Sequence, residues 1–209
     1  MKRLIKLLTA LLASVLLITA LPSCSGRPPK LEGALYDRLV EVIEASVDVN
    51  VVLFGAGLPT YAREGEEEDR IRRYYGVTDD GTEFVSVYAR YTSVEQMKQA
   101  IAAVYSKSYA ESLYETLFTG YATGTSSVIL PARYHEDDNW LYQSRNVEPL
   151  VTGTRFFDYA SMEVDRGSTS TYLRILIRSR ADAPDAEWHM SHLSFIYEDG
   201  NWYLDGPSC

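Results

Sequence analysis

Polar and apolar positions alternate most regularly near the end of the chain. From Thr171 to Ser179 the apolar side chains Leu173, Ile175 and Ile177 are interleaved with Tyr172, Arg174 and Arg178. A period of two marks a strand with one face buried and one wet. Ala181-Asp182-Ala183-Pro184-Asp185 breaks this strand, and a second run extends from Trp188 to Tyr197. Glu198-Asp199-Gly200-Asn201 then turns the chain back into Trp202-Tyr203-Leu204-Asp205-Gly206. Asp-Gly between two aromatic-rich runs predicts a tight hairpin, because the turn that suits twisted strands needs positive φ at its centre. One of Trp202 and Tyr203 must then face the core. Phe156 to Val164, closed by Asp165-Arg166-Gly167-Ser168, predicts the strand that leads into this sheet.

Helical spacing governs the earlier segments. Leu35, Leu39, Val42, Ser46, Val49 and Leu53 recur at three and four, while Glu41, Glu44 and Asp48 fall off that stripe. This predicts a helix from Leu31 to about Phe54, stopped by Gly55, Gly57 and Pro59. The acidic run Glu64 to Asp69 reads as a solvated loop or a helix start. Arg72 to Val77 and Phe84 to Tyr91, joined by Thr78-Asp79-Asp80-Gly81-Thr82, predict a second hairpin. Ser93 with Gln96 three residues on is a capping-box signature. It opens a helix whose stripe is Val94, Met97, Ile101, Val104 and Tyr105. Ser106-Lys107-Ser108 breaks that helix, and Ser108 to Phe118 predicts another short one, with Tyr109, Leu113 and Leu117 on one side.

Gly120 to Val151 has the weakest periodicity. Its run from Pro131 to Tyr142 is polar yet holds Tyr134, Trp140 and Tyr142. It reads as a connection or as a presented recognition loop, and those three aromatics are the candidate partner contacts. The whole pattern predicts an α+β fold. Helices pack on one face of a curved antiparallel sheet that ends as a strand meander, in a single domain of residues 31–209.

The first 23 residues stand apart from this pattern. Lys2, Arg3 and Lys6 precede an uncharged apolar run, Leu7 to Leu21, which Pro22-Ser23-Cys24 closes. That is a secretory signal, short for a membrane span. A small residue before the cysteine matches a bacterial lipobox, so Cys24 is the expected lipidation site and residues 24–30 a polar tether. Ordinary signal cleavage and an uncleaved anchor are the other readings of the same run. The expected location is the outer surface of the cell membrane, held by lipid alone.

Removing the signal leaves 17 basic against 29 acidic residues, a formal charge of −12. That argues against nucleic acid and against docking on anionic lipid. With Cys24 lipidated, Cys209 is the one remaining cysteine and no intramolecular disulfide can form. Stability then rests on packing.

The chemistry-bearing residues are sparse. His189 and His192 are three apart, and on a strand that spacing sends them to opposite faces, unfit for a shared metal. His135-Glu136-Asp137-Asp138 offers oxygens for a hard cation but lacks the spaced loop of a calcium site. There is no nucleophile elbow, no phosphate-cradling loop and no cysteine–histidine pairing. No catalytic residue, metal or cofactor is expected, and a non-enzymatic role follows. Tyr172, Arg174 and Arg178 share a strand face that would either meet a partner or pair across strands.

The segment from Tyr74-Tyr75 through Tyr91-Thr92-Ser93-Val94-Glu95-Gln96-Met97 to Val104-Tyr105 resembles the family of bacterial cell-wall D,L-endopeptidase inhibitors. The ending Phe195-Ile196-Tyr197-Glu198-Asp199-Gly200-Asn201-Trp202-Tyr203-Leu204-Asp205-Gly206 resembles it too. The likeness spans about residues 72–206. The same ending is equally similar to the nuclear-transport-factor-2-like superfamily, in which helices pack on a curved sheet. The first resemblance implies a non-enzymatic protein that plugs the cleft of a cell-wall peptidase. The second implies a ligand-binding lipoprotein with a cone-shaped pocket.

Overall fold

The structure is a computed structural model. It describes residues 27–55, 57–58, 60–62, 68–71, 75–77, 83–85, 91–122, 129–130, 132–137, 140–144 and 155–208. Cys24 and the signal lie outside the described residues, as do the acidic residues 64–67 and the turn at 78–82.

The first element is helix α1, Ala34–Leu53. It starts three residues later than the stripe predicts, because Gly33 takes φ 57° and forms the N-terminal boundary. Most of the stripe is buried: Leu39, Val42, Ser46, Val49 and Leu53 face inward with Ile43 beside them, while Leu35 is half-buried. The predicted stop is also present. Gly57 adopts φ 82°, a conformation that favours glycine, and a Cβ there would also displace the end of the Gln143 side chain.

Strands β1 (Thr60–Ala62) and β2 (Glu68–Ile71) follow, then the ribbon β3 (Tyr75–Val77) and β4 (Glu83–Val85). The β3–β4 pair falls within the predicted second hairpin, whose residues 72–74 and 86–90 lie outside the described residues. Helix α2 covers Val94–Val104. Its capping differs in detail from a closed box. Ser93 Oγ accepts from the Gln96 amide, but Gln96 Oε1 reaches back to the Thr92 amide at 2.8 Å. Helix α3, Lys107–Tyr114, begins one residue earlier than expected, because the Ser106 side chain caps it by accepting from the Tyr109 amide. A single π-helical turn, Glu115–Thr119, ends it.

The described part of the region predicted as irregular is instead strand-rich. It contains a small ribbon, β5 (Tyr121–Ala122) with β6 (Ile129–Leu130), and a hairpin, β7 (Tyr134–Asp137) with β8 (Trp140–Ser144). β8 also pairs with β2, giving a sheet of order β1-β2-β8-β7. These strands are short, two to five residues, so no run of alternation announces them, and the second partner of β8, β2, lies far earlier in the chain.

The C-terminal meander consists of β9 (Arg155–Val164), β10 (Tyr172–Ala181), β11 (His189–Glu198) and β12 (Asn201–Leu204), antiparallel in order β12-β11-β10-β9. The fold is therefore α+β, with the meander as its main sheet. Asp199 at φ 49° and Gly200 at φ 85° make the predicted two-residue turn between β11 and β12. Leu173, Ile175, Ile177, Leu193, Phe195, Trp202 and Leu204 form the inner face and pack against α1 and α2. Each fully buried Leu or Ile contributes about 1.5–3 kcal/mol of transfer free energy, so this face dominates the stabilisation. Trp202 is the inward aromatic of the predicted pair, and Tyr203 is half-buried on the other side.

A short polar chain runs through the core. Asn50 Nδ2 donates to Ser208 Oγ at 2.7 Å, Ser208 and Ser46 are 2.6 Å apart, and Ser46 Oγ donates to the Ile43 carbonyl. Tyr105 donates its hydroxyl to Asn50 Oδ1. Ser46 thus sits on the apolar stripe without an unmet hydroxyl, and the last described residue, Ser208, is fastened to α1. Among the described residues no helix is long and apolar enough to cross a membrane.

Candidate interaction site

The β7–β8 hairpin carries all three aromatics singled out in the sequence. Its register pairs Tyr134 with Gln143, His135 with Tyr142, Glu136 with Leu141 and Asp137 with Trp140. Opposed residues share a face, so alternation places Trp140, Tyr142 and His135 on one side, with Tyr134, Glu136 and Leu141 on the other.

The inner side is anchored. Tyr134 is fully buried and Leu141 nearly so, in a cluster with Val52, Leu58 and Met97. The Tyr134 hydroxyl donates to the Val52 carbonyl, and Arg133, itself buried, donates to the Gly55 carbonyl. The Val52 carbonyl lies in the last turn of α1, where helix geometry leaves acceptors without intrahelical donors, and Gly55 follows just after the helix end. The Arg133 charge also lies at the negative end of the helix dipole. At the other helix, Glu136 Oε2 accepts from the Val94 amide at 3.0 Å, a carboxylate at the positive end of α2. Leu58 donates its amide to Gln143 Oε1, which ties β8 to the chain after α1. Burial pushes the Tyr134 hydroxyl pKa up, opposed by the Arg133 charge beside it.

Tyr134 is therefore a core residue, and its side chain is not presented to a partner. It belongs to the same sequence run as Trp140 and Tyr142 but points to the opposite face. Trp140 is exposed at 37 %, at the end of β8 next to the hairpin connection. Tyr142 stacks on His135 with ring centroids 4.9 Å apart and planes 7° from parallel. The outer face of the hairpin is thus a short aromatic row on a fixed base. The fourth candidate, Cys24, lies outside the described residues.

His189 pairs with Ser179 and His192 with Leu176, so the two histidines face opposite sides of the sheet, as their spacing predicts. Among the described residues no three His, Cys, Asp or Glu side chains converge. Arg174 pairs with Asp165 at 3.2 Å and Arg178 with Asp158. Those two arginines are held across strands, which is the structural alternative to a partner face.

A cavity of about 190 Å³ opens between α2, α3 and the β11–β12 turn. Tyr105, Lys107, Glu111, Tyr114, Glu198 and Tyr203 are among its walls. It does not lie under the inner face of the meander, which the side chains of α1 and α2 cover. No local pattern announces it, because its walls come from segments about ninety residues apart. The anchors Arg133 and Glu136 were missed for a related reason: their partners are helix ends 78 and 42 residues away. No protein-family model matches this chain, and no curated protein sequence matches it significantly.

Proposed function

We propose that this chain is an extracytoplasmic lipoprotein, anchored through Cys24, that binds another protein through the outer face of the β7–β8 hairpin. The partner we infer is a peptidoglycan D,L-endopeptidase, whose cleft the hairpin would enter as a non-enzymatic inhibitor. One observation carries the binding role: an exposed Trp140 beside Tyr142, on a hairpin whose base is fastened to two helix ends. Interface energy concentrates in such aromatics, and a rigid base lowers the ordering cost of binding. The identity of the partner rests on the sequence resemblance, and the location rests on the lipobox.

The test has two arms. The membrane-anchored protein is used to capture partners from cell-wall extract, and the captured hydrolase is assayed with and without it. Recovery of a peptidase that the protein slows supports the reading; recovery of none, or no slowing, overturns the inhibitor role. Mass spectrometry of membrane-extracted protein should show an acylated Cys24 at the mature N-terminus, and cleavage elsewhere would remove the anchor. The cavity beside α3 favours a second reading, a lipoprotein that holds a small ligand. In that case the protein would retain a small molecule through purification and capture no hydrolase.

A further inference from the structure

Arg155 opens β9 at the far end of the meander from the β11–β12 turn. Its inward partners come from the neighbouring strands. Register sets Ser179 opposite His189 and Ile177 opposite Ser191 on β10 and β11, and Ala181 opposite Arg155. Arg155, Ser179, His189 and Ser191 therefore share one face of three adjacent strand ends.

The hydrogen bonds among them have a definite direction. Arg155 Nη1 lies 2.7 Å from Ser179 Oγ and 2.9 Å from His189 Nε2. His189 Nδ1 is 3.2 Å from the Glu187 carbonyl, which can only accept. The ring proton is thus assigned to Nδ1, and Nε2 is the acceptor for Arg155. Nη1 has two hydrogens and both are used, with Ser191 Oγ at a looser 3.5 Å. Ser179 is fully buried and 2.5 Å from Ser191. With Ser179 accepting from Arg155 and donating to Ser191, the Ser191 hydroxyl keeps its own proton to give.

What is left over is a cation with an open fork. A guanidinium has five N–H groups, and the side-on pair, Nε–H and Nη2–H, has no partner among the described residues. Arg174 and Arg178 on the same sheet are each paired with an aspartate. Arg155 is half-buried, and among the described residues no carboxylate pairs with it. In a mature chain of charge −12, a partly desolvated arginine surrounded by neutral donors and acceptors is arranged for an incoming anion. A planar monoanion fits that fork, while the overall negative charge disfavours polyanions.

We propose that Arg155, with Ser191 beside it and Ser179 and His189 orienting it, binds a carboxylate. The carboxylate belongs to a peptide, at its C-terminus or on a side chain. On the opposite face of the same strand ends, Phe156, Trp188 and Met190 are exposed, and Arg180 sits 4.9 Å from the Phe156 ring centroid and 5.4 Å from that of Trp188. β9 is an edge strand of this sheet, so a peptide that passes round its edge would meet these apolar side chains next to its carboxylate. The site is independent of the hairpin, so either can fail without the other.

The experiment is a titration of the 15N-labelled full chain with N-acetyl-alanyl-alanine, its C-terminal amide, acetate and inorganic phosphate, followed by amide chemical shifts. Saturable shifts at Ser179, His189 and Ser191 with the peptide acid, and none with the amide, are expected. Acetate should bind at least tenfold more weakly; equal affinity would reassign the site to free small carboxylates and overturn the peptide. Phosphate binding as tightly as the peptide acid would overturn the carboxylate assignment, as would absence of saturation. Arg155→Lys keeps the charge but loses the fork, and it should weaken binding at least tenfold. If that variant does not fold, His189→Phe removes the acceptor that orients Arg155 and should weaken binding in the same direction. Unchanged affinity in either folded variant overturns the proposal.

Discussion

The hydroxyl of Tyr134 lies 2.7 Å from the carbonyl oxygen of Val52, joining the first residue of β7 to the last turn of α1. Both groups are buried, so water cannot replace the bond once it is broken. The contact fixes the hairpin relative to the helix, and Arg133 on Gly55 repeats it one turn later.

Replacing Tyr134 by Phe keeps the ring and strands the Val52 carbonyl. The expected cost is about 1–3 kcal/mol, the penalty for an unsatisfied buried polar group. Tyr134→Ala adds a cavity and should cost about 3–5 kcal/mol. Urea unfolding of the two variants checks both the size and the order. Equal stability of Tyr134→Phe and wild type would show that the hydroxyl bond contributes nothing.

Trp202 is nearly buried against the inner face of the meander and lies 5.2 Å from the Tyr197 ring, its cross-strand partner. Trp202→Ala should cost about 3–5 kcal/mol, as aromatic truncation in a core does. Tyr203→Ala, on the other face and half-buried, should cost distinctly less. Thermal melts of both variants decide it; a larger loss at Tyr203 would mean the strand is turned over.

Trp202, Tyr134 and Tyr142 show where a sequence is legible and where it is not. Trp202 could be placed because Asp199-Gly200 fixes the turn, and period two does the rest. Leu173, Ile175 and Ile177 were readable for the same local reason. Tyr134 could not be separated from Tyr142, because β7 and β8 are four and five residues long and their phase was unknown without the register. Burial of Tyr134 depends on α1, some eighty residues earlier, and no local pattern encodes that meeting. The Arg155 cluster is likewise assembled from three strands, so its members carry no shared spacing in the chain.

Alkaline solution should destabilise the fold through its tyrosines. Burial, with Glu44 and Tyr36 nearby, pushes the Tyr159 hydroxyl from its usual 10.0 up to about 12. Burial also raises Tyr134. The folded state therefore holds these protons at a pH where the unfolded chain has released them. With fewer protons on the unfolded state, stability falls as pH rises. The contribution is intact below about pH 10 and is lost on the way to about pH 12. Tyr159→Phe should flatten that decline, measured as denaturation midpoints across the range. An unchanged slope in the variant would assign the alkaline loss to other groups.

The outer face of the hairpin sets the last expectation. Trp140 and Tyr142 are on the side of β8 away from Leu141, so truncating them leaves the buried base in place. Trp140→Ala with Tyr142→Ala should therefore preserve folding, read by circular dichroism, and weaken partner binding at least tenfold, about 1.4 kcal/mol. His135 stacks on Tyr142 at 4.9 Å, so His135→Ala should loosen Tyr142 and give a smaller loss in the same direction. Glu136→Gln offers a useful contrast. It removes the charge at the start of α2 without touching the aromatic row, and should lower stability by about 0.3–1 kcal/mol while leaving affinity near wild type. The affinities are measured against the hydrolase captured with the wild-type protein. A folded double variant that binds as tightly as wild type would take the hairpin out of the interface. The search for the contact surface would then move to the sheet end around Phe156, Trp188 and Met190, which is exposed and lies on the other sheet.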